Sequence, residues 1–240
     1  MRKRERFFYI VLISAIIVTF VLSIVPPGHV PFDTKEEEKD SPLPVFTISP
    51  YDSLFQHYAD TLGLDWKMLA AIAYVESRFD TMATSHVGAK GLMQLMPRTA
   101  KAMGIPQGQE RDPEMSIQGA TKLLLRLNKK YRRVPEKERI NFILAAYNGG
   151  AGHINDAMRL TTKYGGNRYV WKGNVEKYLR LKSDSIYYTD SLCRNGRFMA
   201  VETTSFVRKV QRKYSEYDRM ETAFDEALLA AIRTDSLTQQ

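Results

Sequence analysis

The sequence predicts a mainly α domain set behind a single N-terminal transmembrane helix. Three observations carry that expectation. One apolar run near the N-terminus is long enough to cross a bilayer, apolar residues recur at helical spacing between cap residues from position 49 onward, and strand signals are few. With 240 residues and 44% hydrophobic content, the chain can bury the core of one medium domain with appendages.

Residues 7–25 are apolar except for Tyr9, Ser14, Thr19 and Ser23. As a helix they rise roughly 28 Å, enough to cross a bilayer core. Arg2, Lys3, Arg4 and Arg6 come before this run, so residues 1–6 read as a cytoplasmic basic tail and the bulk of the chain as exported. A cleaved signal peptide is the competing reading, with the residues around Ser23 as its cleavage site. The length of the run favours an uncleaved anchor. Residues 26–48 read as a Pro-rich acidic linker, because six of the ten prolines fall between positions 26 and 50, around an acidic cluster from Asp33 to Asp40. Such a tether holds the next domain on the order of 30 Å from the membrane when flexible and about 75 Å when stretched.

Helix signals then follow one another. Ser49-Pro50 opens the first helix, with Leu54, Phe55, Tyr58, Ala59 and Leu62 in register and Gly63 as the stop. Asp65 N-caps the second, which puts Leu69, Ile72, Ala73 and Glu76 on one face. Met96-Pro97 starts a short helix that ends at Gly104, and Asp112-Pro113 opens another that runs to about Tyr131. Pro135 starts a segment that Gly149-Gly150 interrupts, and a further helix reaches about Lys163. Gly165-Gly166 and residues 183–197 read as loops, and a small β element is allowed near residues 88–94. Met220 to Ile232 reads as a helix folded back on the domain.

Charge and composition narrow the function. Of the formal net charge of +8, four N-terminal cations less Glu5 supply +3, and the remaining +5 is diffuse. With no long Lys/Arg run, that pattern is weak evidence for nucleic acid and suits an anionic substrate or surface at least as well. Cys193 is the only cysteine and reads as a small core filler. With no disulfide frame, no ligand cluster and no pairing of His86 with His153, neither a metal nor a cofactor is expected.

An apolar helix face that ends in a carboxylate is poor design for stability alone. Desolvation raises such a carboxyl from roughly 4.3 towards about 6, where it serves as a general acid. Glu76 is therefore the candidate acid. The rival reading makes it a helix-end carboxylate paired with Arg78.

Three segments carry more together than singly: Glu76-Ser77, the stretch Gly88-Ala-Lys-Gly-Leu-Met-Gln94-Leu-Met96-Pro-Arg-Thr-Ala100, and Ala146-Tyr147-Asn148-Gly-Gly-Ala-Gly152. In this order they resemble the catalytic domain of soluble-type lytic transglycosylases, relatives of goose-type lysozyme that cut peptidoglycan. With the membrane segment, the membrane-bound F type is the nearest look-alike. The resemblance implies a lysozyme-like α domain over residues 49–214, with residues 215–240 as a C-terminal helix and tail. It also implies a periplasmic, inner-membrane-anchored enzyme acting on peptidoglycan glycan strands. Glu76 matches the family's single acid/base, which yields a 1,6-anhydro-muramoyl end without consuming water. Ser85, Gln94, Met96, Tyr147 and Asn148 match substrate-binding residues around it. An apolar wall from Ile72, Leu95 or Met96 would keep the acid neutral, and Gly88 and Gly91 would let backbone approach the sugar. Asn148 reads as a left-handed residue before Gly149. Asp80, the nearest other carboxylate in sequence, lacks a motif. Phe206 stands where the family often has tyrosine, which leaves a packing ring without its hydroxyl. A hydrolase of the same fold and a catalytically silent glycan-binding scaffold are the rival functions, and no protein partner is legible.

Overall fold

The computed structural model describes residues 44–238, with side chains as far as Arg233. The predicted anchor and most of the predicted linker lie outside the described residues. The helices are α1 (Asp52–Asp60), α2 (Trp66–Ser77), α3 (Pro97–Ala102), α4 (Pro113–Lys130), α5 (Glu136–Gly149), α6 (Ala151–Lys163), α7 (Glu176–Leu181), α8 (Ser185–Tyr188) and α9 (Val201–Thr238). The mainly α class is observed. Where the sequence allows a small β element near residues 88–94, two isolated bridges centred on Lys90, to Thr84 and to Leu95 just outside that range, tie the loop between α2 and α3. Among the described residues no helix is long and apolar enough to cross a membrane.

Cap chemistry sets the boundaries. The Asp65 carboxylate accepts from Lys67 N at 2.9 Å, and Asp112 accepts from Met115 N at 2.8 Å with Pro113 behind it. The first helix starts two residues later than Ser49-Pro50 suggests. There the Asp52 carboxylate takes the amides of Ile48 and Ser49 and the Ser49 hydroxyl, so the proline lies in the entering turn.

Helix α2 is the centre of the fold. Leu69, Ile72 and Ala73 are buried as expected, but so are Lys67, Met68, Ala70 and Ala71. The helix is therefore enclosed on all sides over its first two turns instead of carrying one apolar stripe. Small residues at 70, 71 and 73 let α1 and α9 come close on either side. At its entry Lys67, almost wholly buried, is held by Asp65, Asp218 and Glu221, and Tyr214 donates to Asp65 at 3.2 Å. These contacts staple α9 along α2.

Residues 220–232 do not fold back. They continue α9 without a break through positions 214 and 215. Phe224 meets Phe46 at a ring distance of 5.8 Å, while Met220, Leu229 and Ile232 stay exposed. A continuous helical ladder outweighs the turn that folding back requires, since no Gly or Pro interrupts positions 201–238. Residues 183–197 are mostly loop, with the single turn α8 inside them.

Candidate active site

Glu76 lies in the last turn of α2. Arg78 follows in the left-handed region at φ 56° and Phe79 at φ 66°, which turns the chain sharply away and leaves the helix end open. Arg78 is exposed and forms no ion pair with Glu76, so the helix-end reading fails. Ser77 donates to the carbonyls of Ala73 (3.2 Å) and Leu92 (2.8 Å), joining α2 to the loop that faces it.

That loop is shaped by two unusual backbone positions. Gly91 sits at φ +75°, and a Cβ there would fall 2.2 Å from the Glu110 carbonyl oxygen. Its glycine is required by the neighbouring chain, and neither Gly88 nor Gly91 lines the cleft, which corrects the expected approach to sugar. Gln94 holds φ 46° without being glycine, secured by its side-chain amide donating to Ala83 O (3.2 Å) and Gly91 O (2.8 Å).

Opposite stands the end of α5. Tyr147 donates its hydroxyl to Met93 O at 2.7 Å, and its ring lies parallel to Phe206, 6.3 Å away. Burial, with Glu76 close by, pushes this phenol well above its ordinary range. Phe206 is buried and serves as a packing ring, as expected. Asn148 is helical and not left-handed; the positive φ that ends the helix falls to Gly150, at 83°. The Thr203 hydroxyl donates to its side-chain oxygen at 2.7 Å. Gly149 makes this approach possible, because a Cβ there would meet Thr203 Oγ1 at 2.7 Å and Phe198 at 2.8 Å.

All six sequence-predicted residues, Glu76, Ser85, Gln94, Met96, Tyr147 and Asn148, line one cavity of about 620 Å³. A second cavity of about 550 Å³ adjoins it, and Glu76, Ser85, Gln94 and Asn148 line both. The acid therefore stands where the two halves of an open trough meet. Ser85 also closes its own turn, its hydroxyl accepting from Ala89 N at 3.0 Å. Leu95 and Met96 supply the expected apolar wall, whereas Ile72 is sealed in the core.

Glu76 has no hydrogen bond or ion pair with any described residue. Desolvation by these walls, with the like charge of Glu202 adding to it, pushes its carboxyl up to about 8. Sequence reasoning reached segment 202–207 through the resemblance, as a groove wall with Phe206 as its packing ring, but gave Glu202 and Thr203 no role. Phe198, Met199, Glu202 and Thr203 come from the start of α9 and the loop before it, more than 120 positions after Glu76. Asp80 stays in its own turn, accepting from Met82 N, and lines neither cavity. Among the described residues, no group of three His, Cys, Asp or Glu side chains could hold a metal.

The Glu76 carboxyl, pushed up to about 8, stands at the midpoint of the trough, flanked by the Gln94 loop and the Tyr147-Asn148 helix end. The family model described as "Transglycosylase SLT domain" matches residues 53–170. Over these residues the chain is similar to the SLT family. The membrane-bound lytic murein transglycosylase F of Serratia proteamaculans is 47% identical over 174 residues, covering 72% of this chain and 33% of that protein. Its namesake from Cellvibrio japonicus is 44% identical over 154 residues, covering 64% of this chain and 30% of that protein. The chain thus spans about a third of the length of these relatives. Among solved structures, the 70 kDa soluble lytic transglycosylase of Escherichia coli is 27% identical, with a TM-score of 0.49, covering 71% of this chain and 24% of that one. The SLT match ends at residue 170, so Glu202 and Thr203 lie beyond it.

Proposed function

We propose that this chain is a peptidoglycan lytic transglycosylase, cleaving the MurNAc–GlcNAc β-1,4 bond and leaving a 1,6-anhydro-MurNAc end. The observation that carries the reading is Glu76, an unpaired acid pushed up to about 8 where the two cavities meet. At neutral pH it holds a proton to give. Glu76 protonates the glycosidic oxygen as the bond to C1 breaks. The C6 hydroxyl of the same sugar then bonds to C1 and returns its proton to Glu76, so no water is consumed. Met96 and Leu95 keep the acid dry, Ser85, Gln94 and Asn148 contact sugar on either side of it, and Tyr147 holds the Gln94 loop against the α5 end. The domain over residues 49–214 is read as lysozyme-like.

The relatives' names and the apolar run at 7–25 support a membrane-anchored enzyme with its catalytic domain in the periplasm, held off by residues 26–48. A reporter fused after Pro50 that stays in the cytoplasm would reject that placement.

Glu202 favours a second reading, a hydrolase in which that carboxylate activates water while Glu76 donates. Mass spectrometry of products released from purified sacculi separates the two. Anhydro ends without added water are expected, whereas one water gained per cut would assign the hydrolase.

A further inference from the structure

Beside the cleft, where α4 ends, lies a separate cavity of about 340 Å³. Its wall holds Lys130, Arg133, Arg159 and Arg168 and no acidic residue. Lys130 lines both this cavity and the cleft, so the two spaces adjoin at its side chain. Arg159 is committed to Asp156 and to the Leu192 carbonyl. Lys130, Arg133 and Arg168 form no ion pair with any described residue, and Arg168 has only the ring of Tyr169, 5.6 Å from its centroid. The Nε of Arg168 and the hydroxyl of Tyr131, a side chain 3% exposed in the same wall, have no hydrogen-bond partner.

Uncompensated cations around a concave space raise the local concentration of anions, and guanidinium groups suit carboxylates in particular because two parallel N–H groups meet two oxygens. Buried donors without acceptors point the same way, since nearly all such groups in folded proteins are satisfied. A lipid surface would ask for a projecting face, and this site is recessed and adjoins the trough. We propose that the cavity is an anion subsite that takes the carboxylates of the peptide stem borne by the glycan strand lying in the cleft. The inference rests on the peptidoglycan reading above. Because the stem is covalently joined to the bound sugar, even a weak contact counts at high effective concentration. The subsite would make the enzyme prefer strands that still carry acidic stems.

The test compares the full chain, purified in detergent, with the Arg133→Ala/Arg168→Ala double variant on two substrates: intact strands, and strands stripped of their peptides by an amidase. On intact strands the variant is expected to show KM raised about tenfold at unchanged kcat, about 1.4 kcal/mol, and on stripped strands to match the wild type. Arg133→Lys/Arg168→Lys, which keeps both charges, should restore most of the preference. Equal behaviour of wild type and variant on intact strands overturns the proposal, as does an equal loss on both substrates. If the variant instead loses binding to phosphatidylethanolamine–phosphatidylglycerol vesicles while cutting both substrates normally, the pocket serves a membrane and the proposal falls. Should wild type cut neither substrate, the transglycosylase reading has failed. The pocket is then judged by titrating soluble acidic stem peptide into wild type and variant, and absence of binding to wild type overturns it.

Discussion

Glu76 and Asp156 are both desolvated carboxylates on helices, yet one is pushed up to about 8 and the other held down at about 2. Burial by itself raises each. At Asp156 that effect is overruled by Lys182, whose side chain is fully buried, by Arg159, by the amides of Arg194 and Asn195, and by the Asn195 side chain. At Glu76 nothing overrules it, and Glu202 adds to it. A buried carboxylate surrounded by donors is a fastener, here pinning the loop that leads to Phe198 and the cleft wall. One left without donors is a poised acid. The difference lies in the neighbours and not in the residue type.

The sharpest way to break this comparison is to remove the proton from the poised side. Glu76→Gln should lower the rate of sacculus cleavage by about 10²–10⁴-fold, the usual worth of a general acid. The fold should persist, because Glu76 has no structural partner to lose. Raised above its unfolded value, the Glu76 carboxyl favours the folded state less and less as pH climbs from about 4.3 to about 8. Thermal melts above pH 8 should therefore find the glutamine variant at least as stable as wild type. A variant that keeps full activity removes Glu76 from the chemistry.

On the fastened side, Asp156→Asn should leave Lys182 charged and buried without its partner, at a cost of about 3–5 kcal/mol. Denaturant unfolding reads this directly. The sign with pH is opposite to that of Glu76. A depressed carboxyl contributes stability above its ordinary range and loses it as pH falls towards about 2. His153 depends on the same network, since burial and the Lys182 ammonium 3.1 Å from its Nδ1 keep it below its usual range.

Glu202→Gln probes the coupling between the cleft walls. Removing a like charge eases ionisation of Glu76, so the alkaline limb of the activity profile should move to lower pH, by about one unit or less given the exposed position of Glu202. A limb that does not move, or moves upward, would mean that Glu202 does not act on Glu76.

Much of this was readable from residues close in sequence. Asp65, Asp112-Pro113 and Gly149-Gly150 punctuate helices through short-range chemistry, and Glu76 declares itself by ending an apolar segment. The unread parts depend on distant partners. Lys67 and Lys182 look like ordinary surface cations until Glu221 and Asp156 come to meet them from far along the chain. Glu202 and Thr203 become cleft residues because α9 lies along α2; the resemblance points to their segment through Phe206, but no local pattern gives these two side chains a role. Gly91 looked like clearance for a ligand and is clearance for the Glu110 backbone.

The smallest expected effect concerns a polar tether that ties Asn148, a predicted site residue, to the α9 wall. Thr203 donates to Asn148 at 2.7 Å in a place too tight for any residue but glycine at 149. Thr203→Val keeps the shape and removes the donor, leaving the Asn148 oxygen to find water in the open cleft. Because Asn148 is half-buried and solvent can reach the trough, the loss should be about 0.5–1.5 kcal/mol of stability at most. Freed to rotate, the Asn148 side chain should bind substrate less well, so KM should rise a few-fold while kcat holds. A fall in kcat matching that of Glu76→Gln would instead place Asn148 in direct contact with the reacting atoms. In that case the cleft wall from α9 would be part of the chemistry and not its support.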